Sequence, residues 1–177
     1  MQAGNRCYYA HKKLLSTKLL NYNSKIQMYK TIIRPTVTYG SKTWVLTTSD
    51  ENQLKIYERK ILRKICEPTQ NPDGTWRIKT NDDLRQRVKQ EDIIKFIKSQ
   101  RLRWVAHVMR MENTRATRKI TEWKPYKTRP VGRPRLRWMD QVEEDLRRMK
   151  ITGWMVKIED RQVWNRIVEQ TKTHPGL

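Results

Sequence analysis

The excess positive charge of this chain is gathered rather than spread, and that limits how it can fold. Residues 1–66 carry 13 Lys and Arg against 3 Asp and Glu, and residues 98–139 carry 13 against 2. Residues 67–97 (6 against 6) and 140–177 (7 against 7) are neutral, and the whole chain reaches +21. Concentrating like charge costs self-repulsion that even mixing would avoid. A polyanion offsets that cost, and nucleic acid is the usual one.

A chain of 177 residues makes one compact domain or two small ones. Only 36% of it is hydrophobic, yet seven Trp, seven Tyr and many Ile and Leu recur at helical spacing. This predicts modest cores with long cationic side chains lying over them. No apolar run approaches the roughly 18 residues of a membrane span. The first residues do not read as a signal peptide. With Cys7 and Cys66 as the only cysteines, no disulfide framework is implied. The expected location is intracellular, in nucleus or cytoplasm, without a membrane partner.

The spacing predicts a mainly α-helical protein. A first helix is expected over 5–20, a turn with a capping Asn or Ser over 21–24, and a second helix from about Lys25. Pro35 should kink or end the second. Thr48 with Glu51 reads as a capping box. In the helix after it, Leu54, Tyr57, Ile61 and Ile65 fall in one arc, opposite Lys55, Arg59, Lys60, Arg63 and Lys64. Pro68, Pro72 and Asp73-Gly74 place a loop or short hairpin over 67–81, the expected linker. Asn81 is expected to cap a short helix over 82–90.

A long helix over 91–111 sets Ile93, Ile94, Ile97, Trp104, Val105 and Val108 on one arc, with Arg103, His107 and Arg110 pointing away. Arg101 falls inside the apolar arc. Either the helix breaks near Ser99-Gln100, or Arg101 pairs with an acid of a neighbouring helix. Residues 112–136, with four Pro and Gly positions, are expected to be irregular. A helix over 137–149 buries Trp138, Val142, Leu146 and Met149 and exposes Asp140, Glu143 and Glu144. Thr152 caps a last helix over 153–169. It carries two apolar stripes: Trp154, Ile158, Trp164 and Val168, and opposite them Val156, Val163 and Ile167.

Catalytic signatures are lacking in the sequence. There is no Gly-rich phosphate loop, no His-Glu-x-x-His and no G-x-S-x-G. Asp82-Asp83 reads as a pair of acids at a helix start, where the dipole favours them. Cys7 and His11 stand four apart but lack a second pair at zinc-finger distance, so they read as core cysteine and surface histidine. Val131-Gly132-Arg133-Pro134-Arg135-Leu136-Arg137-Trp138 is the sharpest local signal. Its Gly-Arg-Pro resembles an AT-hook that places Arg133 in a minor groove; a solvated basic linker is the plainer reading. Trp104 and Trp138 read as core residues or as stacking platforms for bases.

Four blocks, in this order, resemble the C-terminal part of the reverse transcriptase of non-LTR retrotransposons that carry an apurinic-type endonuclease. They are Ala3-Gly4-Asn5-Arg6-Cys7-Tyr8-Tyr9; Tyr29 through Pro35 and Tyr39-Gly40-Ser41-Lys42-Thr43-Trp44; Glu58 through Ile65; and Arg101 through Met111 followed by Gly132-Arg133-Pro134-Arg135 and Arg137-Trp138. The resemblance implies a polymerase thumb followed by a C-terminal extension that grips template RNA or target DNA. No Tyr/Phe-Ala-Asp-Asp occurs, so the metal-binding aspartates of polymerisation are not in this sequence, and no endonuclease is recognised. The chain reads as a piece of such a polyprotein.

The expectation is therefore a thumb-like helical bundle over 1–66, a linker over 67–81 and a basic helical domain over 82–177. It would bind RNA, DNA or an RNA–DNA hybrid without catalysis, cofactor, metal or small-molecule substrate. The missing polymerase and endonuclease domains are further expected partners. The candidate phosphate contacts are Lys55, Arg59, Lys60, Arg63, Lys64, Arg103, Arg110, Arg129, Arg133, Arg135 and Arg137. The rival expectation is a protein-interaction module acting through the acidic and two-sided apolar C-terminal helices.

Overall fold

Two compact units organise the chain: Met1–Tyr39 with Thr48–Ile93, and Gly40–Thr47 with Ile94–Leu177. The computed structural model describes residues 2–88, 92–124 and 136–177. The protein is mainly α-helical, with one two-stranded ribbon among the described residues. None of the described helices is long and apolar enough to cross a membrane.

In the first unit, α1 (Gln2–Ser16) stops short of the expected residue 20, and α2 (Tyr22–Met28) starts before Lys25. Asn21 sets that start, its side chain accepting from Ser24 N at 2.8 Å. Pro35 deforms the helix instead of ending it. Tyr29–Ile33 form a wider π turn, in which Arg34 N bonds to Tyr29 O, and α3 (Arg34–Val37) follows. The wide turn makes room for a ring that has no N–H and would press on the carbonyl four residues back.

The amphipathic reading of α4 (Thr48–Cys66) holds: Leu54, Tyr57, Ile61 and Ile65 are all buried. Tyr8 and Leu15 of α1, with Tyr29, Ile33 and Val37, are buried too, and α1 lies against both α3 and α4. Ile56, on the basic side, is 63% exposed. Glu58, just beyond the edge of the apolar arc, is buried as well. Its carboxylate accepts from the Tyr29 hydroxyl at 2.6 Å and from Ile93 N at 3.0 Å. It thereby satisfies one of the orphan donors at the start of α6 (Ile93–Met109).

Gly4 is the point of closest approach between α1 and its neighbours. Its carbonyl accepts from the Tyr57 hydroxyl, and a Cβ there would run into Val37 Cγ2. Gly4→Ala gains about 1 kcal/mol of helix propensity, but overpacking costs about 1–3 kcal/mol. Net destabilisation is expected in urea denaturation; a stabilised variant would show that Val37 yields freely.

Residues 67–81 lie within the first unit. Glu67 ends α4 at φ 52, in the left-handed region, and its carboxylate meets the buried Lys25 ammonium at 3.0 Å. That hydrogen bond holds Glu67 below the usual carboxylate range. The hairpin is real but short: β1 (Thr69–Gln70) pairs antiparallel with β2 (Trp76–Arg77), turning through Gly74 at φ 83. Thr80, rather than Asn81, caps α5 (Asn81–Val88): Asp83 N donates to Thr80 Oγ1, and Thr80 N donates to the Asp83 carboxylate. The Asp82-Asp83 pair therefore sits at a helix start, as read.

In the second unit α6 runs unbroken through Ser99-Gln100, so the second alternative for Arg101 is the one realised. Arg101 is 1% exposed; it reaches Asp145 at 3.5 Å and Gln141 Oε1 at 2.8 Å. Lys98, also buried, meets Asp145 at 3.2 Å. Part of the expected irregular stretch is instead helical, as α7 (Ala116–Glu122). Arg118 on it donates to the carbonyls of Met109 and Met111, satisfying the end of α6.

On α8 (Trp138–Arg148), Val142 and Leu146 are buried as expected, with Met149 beyond its end, but Trp138 is only half-buried and Asp145 faces inward. The expected last helix is two: α9 (Trp154–Glu159) and α10 (Arg161–Thr173). Asp160 caps the second, accepting from Gln162 N and Val163 N. The break resets the helical phase. Ile158, Trp164, Ile167 and Val168 share one core, and Val156 is 80% exposed. The two-sided apolar helix behind the interaction-module reading is thus not formed.

Residues 40–47 belong with this unit for a specific reason. The Gln141 side-chain amide donates to Leu46 O and its oxygen accepts from Leu46 N, pairing both backbone groups. Trp138 Nε1 donates to Lys42 O at 2.8 Å. The Lys42 ammonium lies 4.0 Å from the centre of the Trp104 ring.

Candidate nucleic-acid interface

The cations of α4 occupy the side away from the core, but not equally. Lys60 and Arg63 are exposed, whereas Lys55, Arg59 and Lys64 are half-buried. Arg59 Nε folds back on Lys55 O at 3.0 Å, and Lys55 lies 3.9 Å from Glu51. Arg63 donates to Asn81 Oδ1 at 2.7 Å and to Lys79 O, which fixes its direction.

Lys60 has the most distinctive setting. Its ammonium lies 5.2 Å from the ring centres of both Tyr8 and Tyr9. The ammonium of Lys12 of α1 lies 6.0 Å from the centre of the Tyr9 ring. Tyr8 is buried, Tyr9 is 58% exposed, and their rings meet edge to face at 5.2 Å. The result is an exposed aromatic ring with two ammonium groups close to it. Phosphate and base each find a partner in such a patch: the charges for the backbone, the ring for a stacked base. Sequence reading singled out Lys60 but missed Tyr9 and Lys12; these two, three residues apart on α1, come near Lys60 only through the way α1 packs.

In the second unit the expected contacts diverge. Arg103 is exposed and lies 3.7 Å from Glu169. Arg110 does not point away: it is half-buried, with Nε donating to Ile158 O at 2.7 Å. Arg137 is half-buried at the start of α8, its backbone N capped by Asp140. Arg129, Arg133 and Arg135, with the Gly132 motif, lie outside the described residues.

Trp104 and Trp138 lie between the core and the surface. Neither is fully buried, and with Trp123 they line an 860 Å³ groove together with Ile120, Met139 and Met155. Glu122, Asp140 and Glu143 also line it, beside Lys124 and Arg137. The groove therefore mixes three acids with two cations and is not uniformly basic.

Cys7 and His11 are both half-buried, and His11 Nδ1 pairs with Cys7 O at 2.8 Å. Cys66 is buried, and burial raises its thiol pKa. No group of three or more potential metal ligands occurs among the described residues.

No family model matches the chain, and no solved structure matches it. Among curated proteins it is similar to a Caenorhabditis elegans protein described as transposon-derived and uncharacterized, with 26% identity over 156 residues. The match covers 85% of this chain and 56% of that protein, so the chain spans little more than half the length of its relative.

Proposed function

We propose that this chain derives from a transposable element and grips the phosphate backbone of RNA, DNA or their hybrid, without catalysis of its own. The observation that carries the reading is the exposed Tyr9 ring with the Lys12 and Lys60 ammonium groups beside it. Two further facts support it. The excess charge falls in two blocks, and the relative over 85% of the chain is described as transposon-derived. The ordered blocks resembling a non-LTR retrotransposon reverse transcriptase give the finer reading: a thumb, which holds duplex beside an active site, followed by its C-terminal extension. The polymerase and endonuclease parts of such a polyprotein would be its partners.

Fluorescence anisotropy with labelled oligonucleotides across a salt series tests this. Binding should be weakly sequence-specific, with log affinity falling steeply against log salt as counterions are released. Lys12→Glu with Lys60→Glu should lower affinity at least tenfold and shallow the slope by about two units, one for each lost phosphate contact. The circular dichroism spectrum should not change, because both side chains are exposed. A flat salt titration of the parent protein would remove the nucleic-acid reading.

A further inference from the structure

We infer that the second unit carries a phosphate-binding cleft, formed by His107 and Arg110 at the end of α6 and by Arg161 and Asn165 of α10. The cleft has a volume of about 370 Å³, and Met111 completes its described lining. Each helix contributes residues three or four apart, the spacing that puts side chains on one face. Every polar residue of the lining brings N–H donors, and none is acidic.

The charges here differ from those around them. Arg103 lies by Glu169, Arg118 by Glu122, and Arg147 and Arg148 by Glu144. Neither Arg110 nor Arg161 meets a carboxylate among the described residues. The neighbouring Asp160 is engaged with the backbone N–H groups of Gln162 and Val163.

Two of the donors are also held in place before any ligand arrives. The bond from Arg110 Nε to Ile158 O fixes the guanidinium, and the His107 ring packs 5.1 Å from the Trp104 ring. Fixing donors in advance lowers the ordering cost of binding. A phosphate group, with its several acceptor oxygens, can accept from two guanidiniums, an imidazole and an amide at once. The volume, near the lower end of small-molecule sites of about 300–1,000 Å³, suits a phosphate with its attached sugar. The phosphate can come from a nucleic-acid backbone, which rests on the function proposed above, or from a free phosphate compound.

Two measurements on the full chain separate these sources. The chain has only three histidines, so His107 can be followed by NMR while pyrophosphate is titrated. Its resonances should shift and saturate, with those of His11 and His174 unmoved. In parallel, Arg161→Gln and Asn165→Asp should each lower oligonucleotide affinity roughly tenfold, as expected for a specific phosphate contact. Arg166→Gln, exposed on the same helix and outside the cleft, should change it less than about twofold, as a general field effect would. A His107 shift without any oligonucleotide effect would assign the cleft to free phosphates. Equal losses for Arg161→Gln and Arg166→Gln, with His107 silent, would overturn the cleft and leave nucleic-acid binding intact. A His107 shift in a protein that binds no oligonucleotide would keep the cleft and sink the proposed function.

Discussion

Asp145→Ala is expected to cost about 3–5 kcal/mol, because it removes the anion from a buried group that also holds two cations. Asp145 meets Lys98 at 3.2 Å and Arg101 at 3.5 Å, and all three are at least nine-tenths buried. Burying a cation costs several kcal/mol unless a partner offsets it, and here one carboxylate serves two. Arg101 also reaches Gln141, which in turn holds both backbone groups of Leu46. The loss should therefore loosen the 40–47 segment as well as α8. Thermal unfolding followed by circular dichroism should shift down by on the order of 10 °C or more. Replacing all three groups by apolar residues (Lys98→Met, Arg101→Met, Asp145→Leu) should recover most of that loss, since no buried charge is then left over. Stability unchanged in Asp145→Ala would mean that water reaches the cluster.

That cluster shows where the sequence could be read and where it could not. Periodicity alone put Arg101 inside an apolar arc and reduced its fate to two options, a broken helix or an acid from elsewhere. It could not supply Asp145, because on α8 that residue stands beside Glu143 and Glu144 in a run of three acids. Only the helix phase against α6 decides which of the three turns inward. Glu58 eluded the reading similarly: on α4 it lies one step from Tyr57, and a partner for its carboxylate comes from Tyr29 and Ile93, both distant in sequence.

The local features were legible because their causes are local. The apolar arc of α4, the capping Asn21 and the Asp73-Gly74 turn each depend on residues a few positions apart. The membership of residues 40–47 depends on Gln141 and Trp138, about a hundred residues later, and left no mark nearby. The same holds for the candidate sites. Lys60 was visible as a cation opposite a core stripe, but Tyr9 and Lys12 join it only through the packing of α1. Arg110 was read as pointing outward, yet the carbonyl of Ile158 captures it at the end of α6. The break at Asp160 was missed because Thr152 and the apolar spacing suggested one continuous helix, and a capping Asp inside a helical pattern looks like an ordinary surface acid.

Glu58→Ala is the second large effect expected, at about 2–4 kcal/mol, since it leaves the Tyr29 hydroxyl and the Ile93 N–H buried without their acceptor. Glu58→Gln keeps one acceptor oxygen and should cost less. The pair also yields a pH test. Burial raises the Glu58 pKa above its ordinary value near 4.5, and the hydrogen bonds from Tyr29 and Ile93 oppose the rise only in part. The folded protein then holds the Glu58 proton to higher pH than the unfolded chain does. Stability from this group is fully present below the ordinary value and is lost as pH rises through the raised one. The stability of the parent protein minus that of Glu58→Gln, which has no such proton, should therefore fall as pH rises above about 4.5. Urea denaturation at a series of pH values measures it. A difference that grows with pH would mean that the carboxylate is stabilised as an anion by the N–H of Ile93 and the nearby Arg34 charge, and that burial is the weaker influence.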